Sequence, residues 1–370
     1  MKKIFFVANS EWYLKNFRES TINRFKSGYD TYCAFPYEKK NNDLDDVGAK
    51  ICTFSMNPHG KNPFREFFSL FTVFYCFLKN RPDLVFSFNP KTNIYSLICC
   101  FFLKIPCVVN VSGVGVASEL RGVVGRVYDF LCSKLYKRAK FVFFQNNEDY
   151  ENYIRKNIVE EDKSCVLPGS GVNLNRYKQS CRVGKTSNFL MASRLIRQKG
   201  VEEYISAAQV MVDSGRTCKF YLAGVEDESS RAIDKKLLSS SSKKGVIEFL
   251  GHVRDMPSLL DEMDCVVLPS YYPEGTPKIL IEAAASGKII ITTNTPGCRE
   301  VVENGINGFF VKPMSISELS NCISKVNSLD EGEALAMQNR SREIAEERYS
   351  EDYVIMKYLE IAERVLQRKH

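Results

Sequence analysis

Short apolar runs alternate with amphipathic stretches along the whole chain, and the runs lack a clean period of two. Strands of this kind suit a parallel sheet covered on both faces. In the first half the pattern predicts strands at Lys2–Asn9, Asp30–Pro36, Lys50–Ser55, Leu84–Asn89, Pro106–Val111 and Phe141–Gln145. Helices are expected between them at Leu14–Lys26, Pro63–Lys79, Asn93–Leu103, Gly122–Arg138 and Glu148–Lys156. A polar stretch, Tyr177–Ser187, has no hydrophobic run and reads as a linker. The pattern then restarts, with strands at Asn188–Ala192, Lys219–Ala223, Val246–Leu250, Cys265–Pro269, Lys288–Thr292 and Gly308–Val311. Helices fall at Val201–Val212, Ser229–Leu238, Met256–Met263, Pro277–Ser286 and Ile316–Val326, with helical sequence from Glu331 onward. Two successive βαβ arrays imply an α/β protein of two Rossmann-like, doubly wound domains facing a central cleft, with ligands at the carboxyl ends of the strands. The expected divisions are 1–178, 179–348 and a C-terminal helix, 349–370, packing back on the first domain.

Composition narrows the class. With 370 residues, 26% charged and 44% hydrophobic, the chain is too long for one core and too polar for a membrane channel. Its 13 cysteines include no C-x-x-C pair, so they read as reduced core residues of a cytoplasmic protein. The N-terminal apolar run is shorter than the core of a signal peptide, and no export signal is visible. Residues 1–180 hold 26 Lys and Arg against 17 Asp and Glu, a balance of +9; the rest hold 25 against 27. Such a basic half can seek nucleic acid or an anionic membrane, or it can be an incidental solvated surface.

The richest chemistry lies in Cys265–Gly287, where a buried strand runs through a Pro-Glu-Gly-Thr-Pro loop into a helix. Thr276 is the expected N-cap, with Pro277 at the first helical position. The amides of Lys278, Ile279 and Leu280 would then point at a strand end, where the helix dipole favours a phosphate. Two carboxylates bracket this start. Glu274 lies in the loop, and Glu282 sits about one and a half turns in, too deep to cap the amides. A carboxylate there can hold adjacent sugar hydroxyls or stabilise developing positive charge. Either glutamate could instead be ordinary and solvated.

A second constellation, Arg194 to Gly200, also follows a strand. Arg194 and Lys199 can grip a diphosphate as a fork and a point charge, and Gly200 lets backbone come close. Arg197 is left as a solvated residue. Gly224 and the Gly251–Asp255 loop end further strands, and His252 is as well suited to a backbone-level base contact as to acid–base work. His59 and His370 lack ligand spacing, so no metal site is expected.

Arg194, Lys199-Gly200, the Glu274 to Glu282 spacing, Pro296-Gly297-Cys298-Arg299-Glu300 with Gly305 and Gly308, and Gly169-Ser-Gly171-Val172-Asn173 together resemble the retaining glycosyltransferases of family 4, of GT-B fold. The resemblance covers most of the chain and is densest from Phe189 to Pro313. It implies that Arg194 and Lys199 hold the donor diphosphate, Glu282 the ribose hydroxyls and Glu274 the donor sugar. Gly275, Thr276 and Pro277 would shape the loop, and main chain near Val253 would meet the base. It also implies a UDP-sugar donor carrying a hexose or N-acetylhexosamine, no metal cofactor, and a lipid-linked saccharide acceptor in bacterial capsule, O-antigen or glycan synthesis. Two departures stand out. Asn9-Ser10 replaces a glycine pair after the first strand, and the Val111–Gly115 loop lacks the family's histidine. Asn9, Ser10, Asn16, Arg18, Ser112, Gly113 and Gly115 are therefore the acceptor-side candidates.

A lipid-borne acceptor gives the basic half a purpose at the inner face of the cell membrane, with Lys134, Lys137, Arg138 and Lys140 its densest cluster. Phe64–Leu78 and Tyr95–Leu103 are too short to span a bilayer; such segments usually become core helices, and resting on lipid is the alternative. A nucleic-acid protein lacks any recognised module here. A dehydrogenase would rest on Gly113-x-Gly115-x-x-Ser118, a fingerprint missing its third glycine. An epimerase on the same scaffold and an inactive sugar-nucleotide-binding partner complete the alternatives.

Overall fold

The computed structural model describes residues 1–37, 48–57, 63–113, 122–180, 186–227 and 229–367. The chain divides into two compact units, Met1–Ser170 with Glu351–His370, and Gly171–Ser350.

The first unit is a parallel sheet in the order β3-β2-β1-β4-β5-β6-β7. Its strands are β1 Lys3–Val7, β2 Asp30–Pro36, β3 Lys50–Phe54, β4 Leu84–Phe88, β5 Cys107–Val111, β6 Phe141–Phe144 and β7 Ser164–Val166. Alternation sorts the side chains onto two faces. Ile4, Phe6, Phe86 and Phe143 join the core beneath α1 (Glu11–Lys26) and α12 (Glu351–Gln367). Phe5, Val7, Val109 and Phe144 join the core on the other face, under α2 (Pro63–Asn80), α3 (Pro90–Leu103), α4 (Gly122–Leu135) and α5 (Asn147–Arg155). Local chemistry starts the helices where polar residues allow it: Ser10 accepts from the Tyr13 amide at 3.2 Å, and Asn146 from the Asp149 amide at 2.7 Å.

The second unit is a parallel sheet in the order β10-β9-β8-β11-β12-β13. Its strands are β8 Asn188–Ala192, β9 Lys219–Ala223, β10 Glu248–Gly251, β11 Cys265–Leu268, β12 Ile289–Thr293 and β13 Gly308–Val311. Helices α6 (Val201–Asp213), α7 (Lys235–Lys243), α8 (Met256–Asp261), α9 (Lys278–Ala285), α10 (Ile316–Asn327) and α11 (Glu331–Arg348) wrap it.

Several expectations shift. The second unit begins at Gly171, ahead of the expected boundary after 178, because Val172 already bridges to Ser350 and Tyr177 is buried. Tyr177 therefore does not belong to a solvated linker. The helix expected at Ser229–Leu238 starts at Lys235 instead. Ala232 bridges Ile196, the Ile233 amide bonds the Leu195 carbonyl, and Asp234 caps the Lys236 amide at 2.8 Å, so the chain is extended before it can coil. Gly122–Arg138 is α4 followed by a 3-10 turn at Tyr136–Arg138. Strand β7, three residues long, carries too little pattern to be read.

Candidate active site

In the second sheet the strand order reverses between β8 and β11, which is where an open α/β sheet binds its ligand, beyond the strands' carboxyl ends. Arg194, Lys199 and Gly200 follow β8; Ser270 to Pro277 follow β11. The two loops are locked together. Gly200 has φ +80°, and a Cβ there would lie 2.4 Å from the Pro269 carbonyl oxygen. The Tyr271 amide donates to the Gln198 carbonyl at 2.8 Å.

This packing brings three of the expected residues into one constellation. Lys199, nearly buried, forms an ion pair with Glu274, whose other oxygen accepts from the Ser270 hydroxyl at 2.9 Å. The Tyr272 ring lies 5.7 Å from the Lys199 ammonium and 5.7 Å from the Arg194 guanidinium. Arg194 is the open member. Its side chain is 46% exposed and stands 3.8 Å from Asp227. The arrangement therefore offers one well-placed sheltered cation, one accessible cation and a carboxylate held on both oxygens. That set, two cations and one carboxylate, leaves a single net positive charge to meet an anion at the strand ends.

The loop after β12 supports Glu274 from behind. Gly297 has φ +80°, and a Cβ there would fall 2.0 Å from the Gly275 carbonyl oxygen. Thr293 donates to the Ser270 carbonyl. Cys298 is wholly buried, and burial followed by the Glu274 charge pushes its thiol up to about 11.

Glu282 is set apart from this group by its own partners. It is buried on α9, accepts from the Tyr177 hydroxyl at 2.6 Å, and lies 3.5 Å from the Lys278 ammonium one turn earlier. Burial first, then the Glu282 carboxylate, raise the Tyr177 phenol above its ordinary value, so it stays a donor. Arg342 of α11 fixes both ends of this arrangement, donating to the Tyr177 carbonyl at 2.6 Å and to the Ala285 carbonyl at 2.7 Å. A cation at the carboxyl end of α9 also opposes the helix dipole.

The start of α9 differs from expectation. Pro277 is itself the cap, with extended backbone and no side-chain cap, and the helix begins at Lys278. The Leu280 amide bonds the Pro277 carbonyl at 3.1 Å and its side chain is wholly buried, so Leu280 is withdrawn from the anion-binding amides. Gly275, Thr276 and Pro277 are buried in the loop, whereas Lys278 and Ile279 are half-buried. Gly224 ends β9 and donates to the Gly251 carbonyl at 2.8 Å, which ties the β9 and β10 loops. Val253 is half-buried against the core just beyond.

In the first unit the strand order reverses between β1 and β4. Asn9 follows β1, and its amide donates to the Asn89 side chain at 3.2 Å. Ser10 is occupied as the cap of α1. Asn16 donates to the Trp12 carbonyl at 2.9 Å. Ser112 and Gly113 lie just beyond β5; Gly115 falls outside the described residues. Arg18 is a correction. It is 1% exposed, with its guanidinium 4.8 Å from the Phe88 ring and 5.3 Å from the Tyr358 ring, so it is buried between β4 and α12 and cannot face an acceptor. Among the described residues no group of three or more His, Cys, Asp or Glu is placed to hold a metal ion.

Tyr177, Ser270, Tyr272, Asn89 and Arg342 were not picked out from the sequence. Ser270 and Tyr272 follow β11 directly, and Asn89-Pro90 ends β4, so strand-end position alone could have flagged them. Arg342 and Tyr177 carry no such signal.

Residues 176–347 match the family described as glycosyl transferases group 1. The chain is a glycosyltransferase of GT-B fold, and the match to the group 1 model lies within its second unit. It is 28% identical to the N,N'-diacetylbacillosaminyl-diphospho-undecaprenol alpha-1,3-N-acetylgalactosaminyltransferase of Campylobacter jejuni, over 98% of this chain and 99% of that protein. It is 27% identical to the UDP-Gal:alpha-D-GlcNAc-diphosphoundecaprenol alpha-1,3-galactosyltransferase of Escherichia coli, over 70% of each. In fold it is similar to a glycosyltransferase from Rickettsia africae, with TM-score 0.78 at 20% identity over 99% and 98% of the two chains. Anabaena HepE, solved with UDP and glucose, gives TM-score 0.79 at 19% identity over 98% and 100%. These relatives bear the names of transferases, which favours neither an epimerase nor an inactive partner.

Proposed function

We propose that the enzyme moves a hexose or N-acetylhexosamine from UDP to a lipid-linked saccharide in surface-glycan synthesis, with retention at the anomeric carbon and without a metal. The observation that carries this reading is the Lys199–Glu274 pair beside Arg194 and Tyr272 at the reversal between β8 and β11. The relatives in Campylobacter jejuni and Escherichia coli, named for undecaprenyl-diphosphate acceptors, support the acceptor class.

The charges suit the chemistry. Breaking the bond from sugar to diphosphate leaves negative charge on the phosphate, and Arg194 and Lys199 supply the counter-charge that a metal would otherwise bring. Glu274, restrained by Ser270, faces the sugar. Glu282, aimed by Tyr177, accepts from the ribose hydroxyls. With retention, the acceptor hydroxyl attacks from the side the nucleotide leaves, and the departing phosphate takes its proton. The enzyme works peripherally at the inner face of the membrane, where its acceptor lies.

The test is direct. Purified enzyme is given UDP- and GDP-sugars with polyprenyl-diphosphate saccharides, and product is followed by mass spectrometry and anomeric proton couplings. An elongated saccharide from a UDP-sugar with the donor's anomeric configuration is expected. No release of nucleoside diphosphate with any donor and acceptor would overturn the reading.

A further inference from the structure

Helix α2 is apolar on two sides, and only one of them is used by the core. Val73, Cys76 and Phe77 are buried against the first sheet. Phe67, Phe68, Phe71, Tyr75 and Leu78 form a second stripe at helical spacing and are exposed, Phe67 by 73%. The expected fate of this segment, a core helix, therefore holds for half of it. A helix apolar all round belongs in an interior, so the outer stripe calls for a partner.

The neighbouring elements extend the surface. Helix α3 packs beside α2 and ends in exposed Phe101 and Phe102. The Arg138 guanidinium lies 3.9 Å from the Phe101 ring, and the Lys134 ammonium 5.9 Å from the exposed Phe130 ring. Residues 63–140 hold 11 Lys and Arg against 4 Asp and Glu, a surplus of 7 that equals the net charge of the whole chain. Two of those four acids are already spoken for: Glu66 pairs with Lys91 at 2.7 Å, and Asp83 with Lys2 at 3.5 Å.

We infer that the outer face of α2, continued by the end of α3, inserts its rings into the interfacial layer of an anionic lipid bilayer. Aromatic rings rimmed by cations match that layer, where rings settle at headgroup depth and cations meet lipid phosphates. A second copy of the chain is a poor occupant, since it would bring one basic face against another. No described helix is long and apolar enough to cross a membrane, so the contact is a surface one. The inference rests on the proposed meeting with a lipid-borne acceptor and names the surface that makes it.

The experiment is vesicle flotation of the full chain with phosphatidylcholine alone or mixed with phosphatidylglycerol, beside Phe67→Ser with Phe71→Ser and, as the conservative control, Phe67→Leu with Phe71→Leu. Wild type should float with the anionic vesicles only, the leucine variant nearly as well, and the serine variant should lose binding by about tenfold or more per ring. The serine variant should keep wild-type UDP affinity and wild-type transfer to a short-chain, water-soluble acceptor, which shows that it is folded. Equal flotation of wild type and serine variant, binding indifferent to phosphatidylglycerol, or a dimer that the serine variant dissociates without any vesicle binding would overturn the inference. Vesicle binding with no transfer from any nucleotide sugar would instead sink the proposed function and leave this surface standing.

Discussion

The Tyr177 hydroxyl donates to the Glu282 carboxylate at 2.6 Å, so a residue from the stretch that opens the second unit aims a buried acid on α9. A hydrogen bond to a charged group contributes about 1.5–3 kcal/mol. Tyr177→Phe should weaken UDP binding by about tenfold, and Glu282→Ala should weaken it more. Titration calorimetry with UDP checks both, and unchanged affinity in Glu282→Ala would remove it from nucleotide binding. Because Phe fills the same space, the Tyr177→Phe fold should survive, and its defect should appear in KM more than in kcat.

Lys199 and Glu274 form a sheltered ion pair, and removing one partner of such a pair leaves the other uncompensated, at a cost of about 3–5 kcal/mol. Lys199→Ala should therefore lower both melting temperature and UDP affinity. Glu274→Ala should lower melting temperature but chiefly slow transfer. The double variant should recover stability relative to either single one while staying inactive. Calorimetric melting and a steady-state assay on all four proteins complete the cycle.

Gly297 approaches the Gly275 carbonyl too closely for any side chain and has φ +80°. Gly297→Ala must push the Glu274 loop away. Transfer should fall by about a hundredfold or more, as expected when a reacting group is displaced by roughly an ångström. A crystal structure of the variant showing the loop unmoved would contradict this.

Cys298 has its thiol pushed up to about 11 by burial and the Glu274 charge, so almost no thiolate exists near neutrality. The folded enzyme should resist iodoacetamide at this position at pH 7 and should label there only once denatured. Peptide mass spectrometry reads the difference.

On the proposed reading Arg194 and Lys199 supply the positive charge without a metal, so transfer should be unaffected by prolonged treatment with EDTA, measured against the same enzyme resupplied with magnesium. Loss of activity with EDTA and its return with magnesium would show that the two cations are insufficient.

Much of this was legible in the residues because parallel strands announce themselves as apolar runs, and because cations, glycines and carboxylates at strand ends are visible before any fold is known. Arg194, Lys199 and Glu274 fall where the strand order reverses, which no linear pattern reveals but which their strand-end positions anticipate. What escaped depended on distant parts of the chain. Tyr177 reads as polar linker until α9 and α11 close over it. Arg18 reads as an acceptor-side candidate until Phe88 and Tyr358 enclose it. The cap of α9 was displaced by one residue because Pro277 takes an extended backbone. Helix α2 looked like core sequence because both of its stripes are apolar, and periodicity cannot say which one stays outside.

The return of α12 to the first unit has a consequence for biosynthesis. Val354, Tyr358, Ile361 and Ala362 cover Phe86 and Phe88 of β4 and Phe143 of β6, and the Asn110 side chain donates to the Tyr358 hydroxyl at 2.7 Å. On the ribosome, these strands must wait for α12 to be translated before that side of their sheet is shielded. A nascent chain arrested before residue 351 would present a bare greasy wall, and chaperone capture should peak there and fall once α12 emerges.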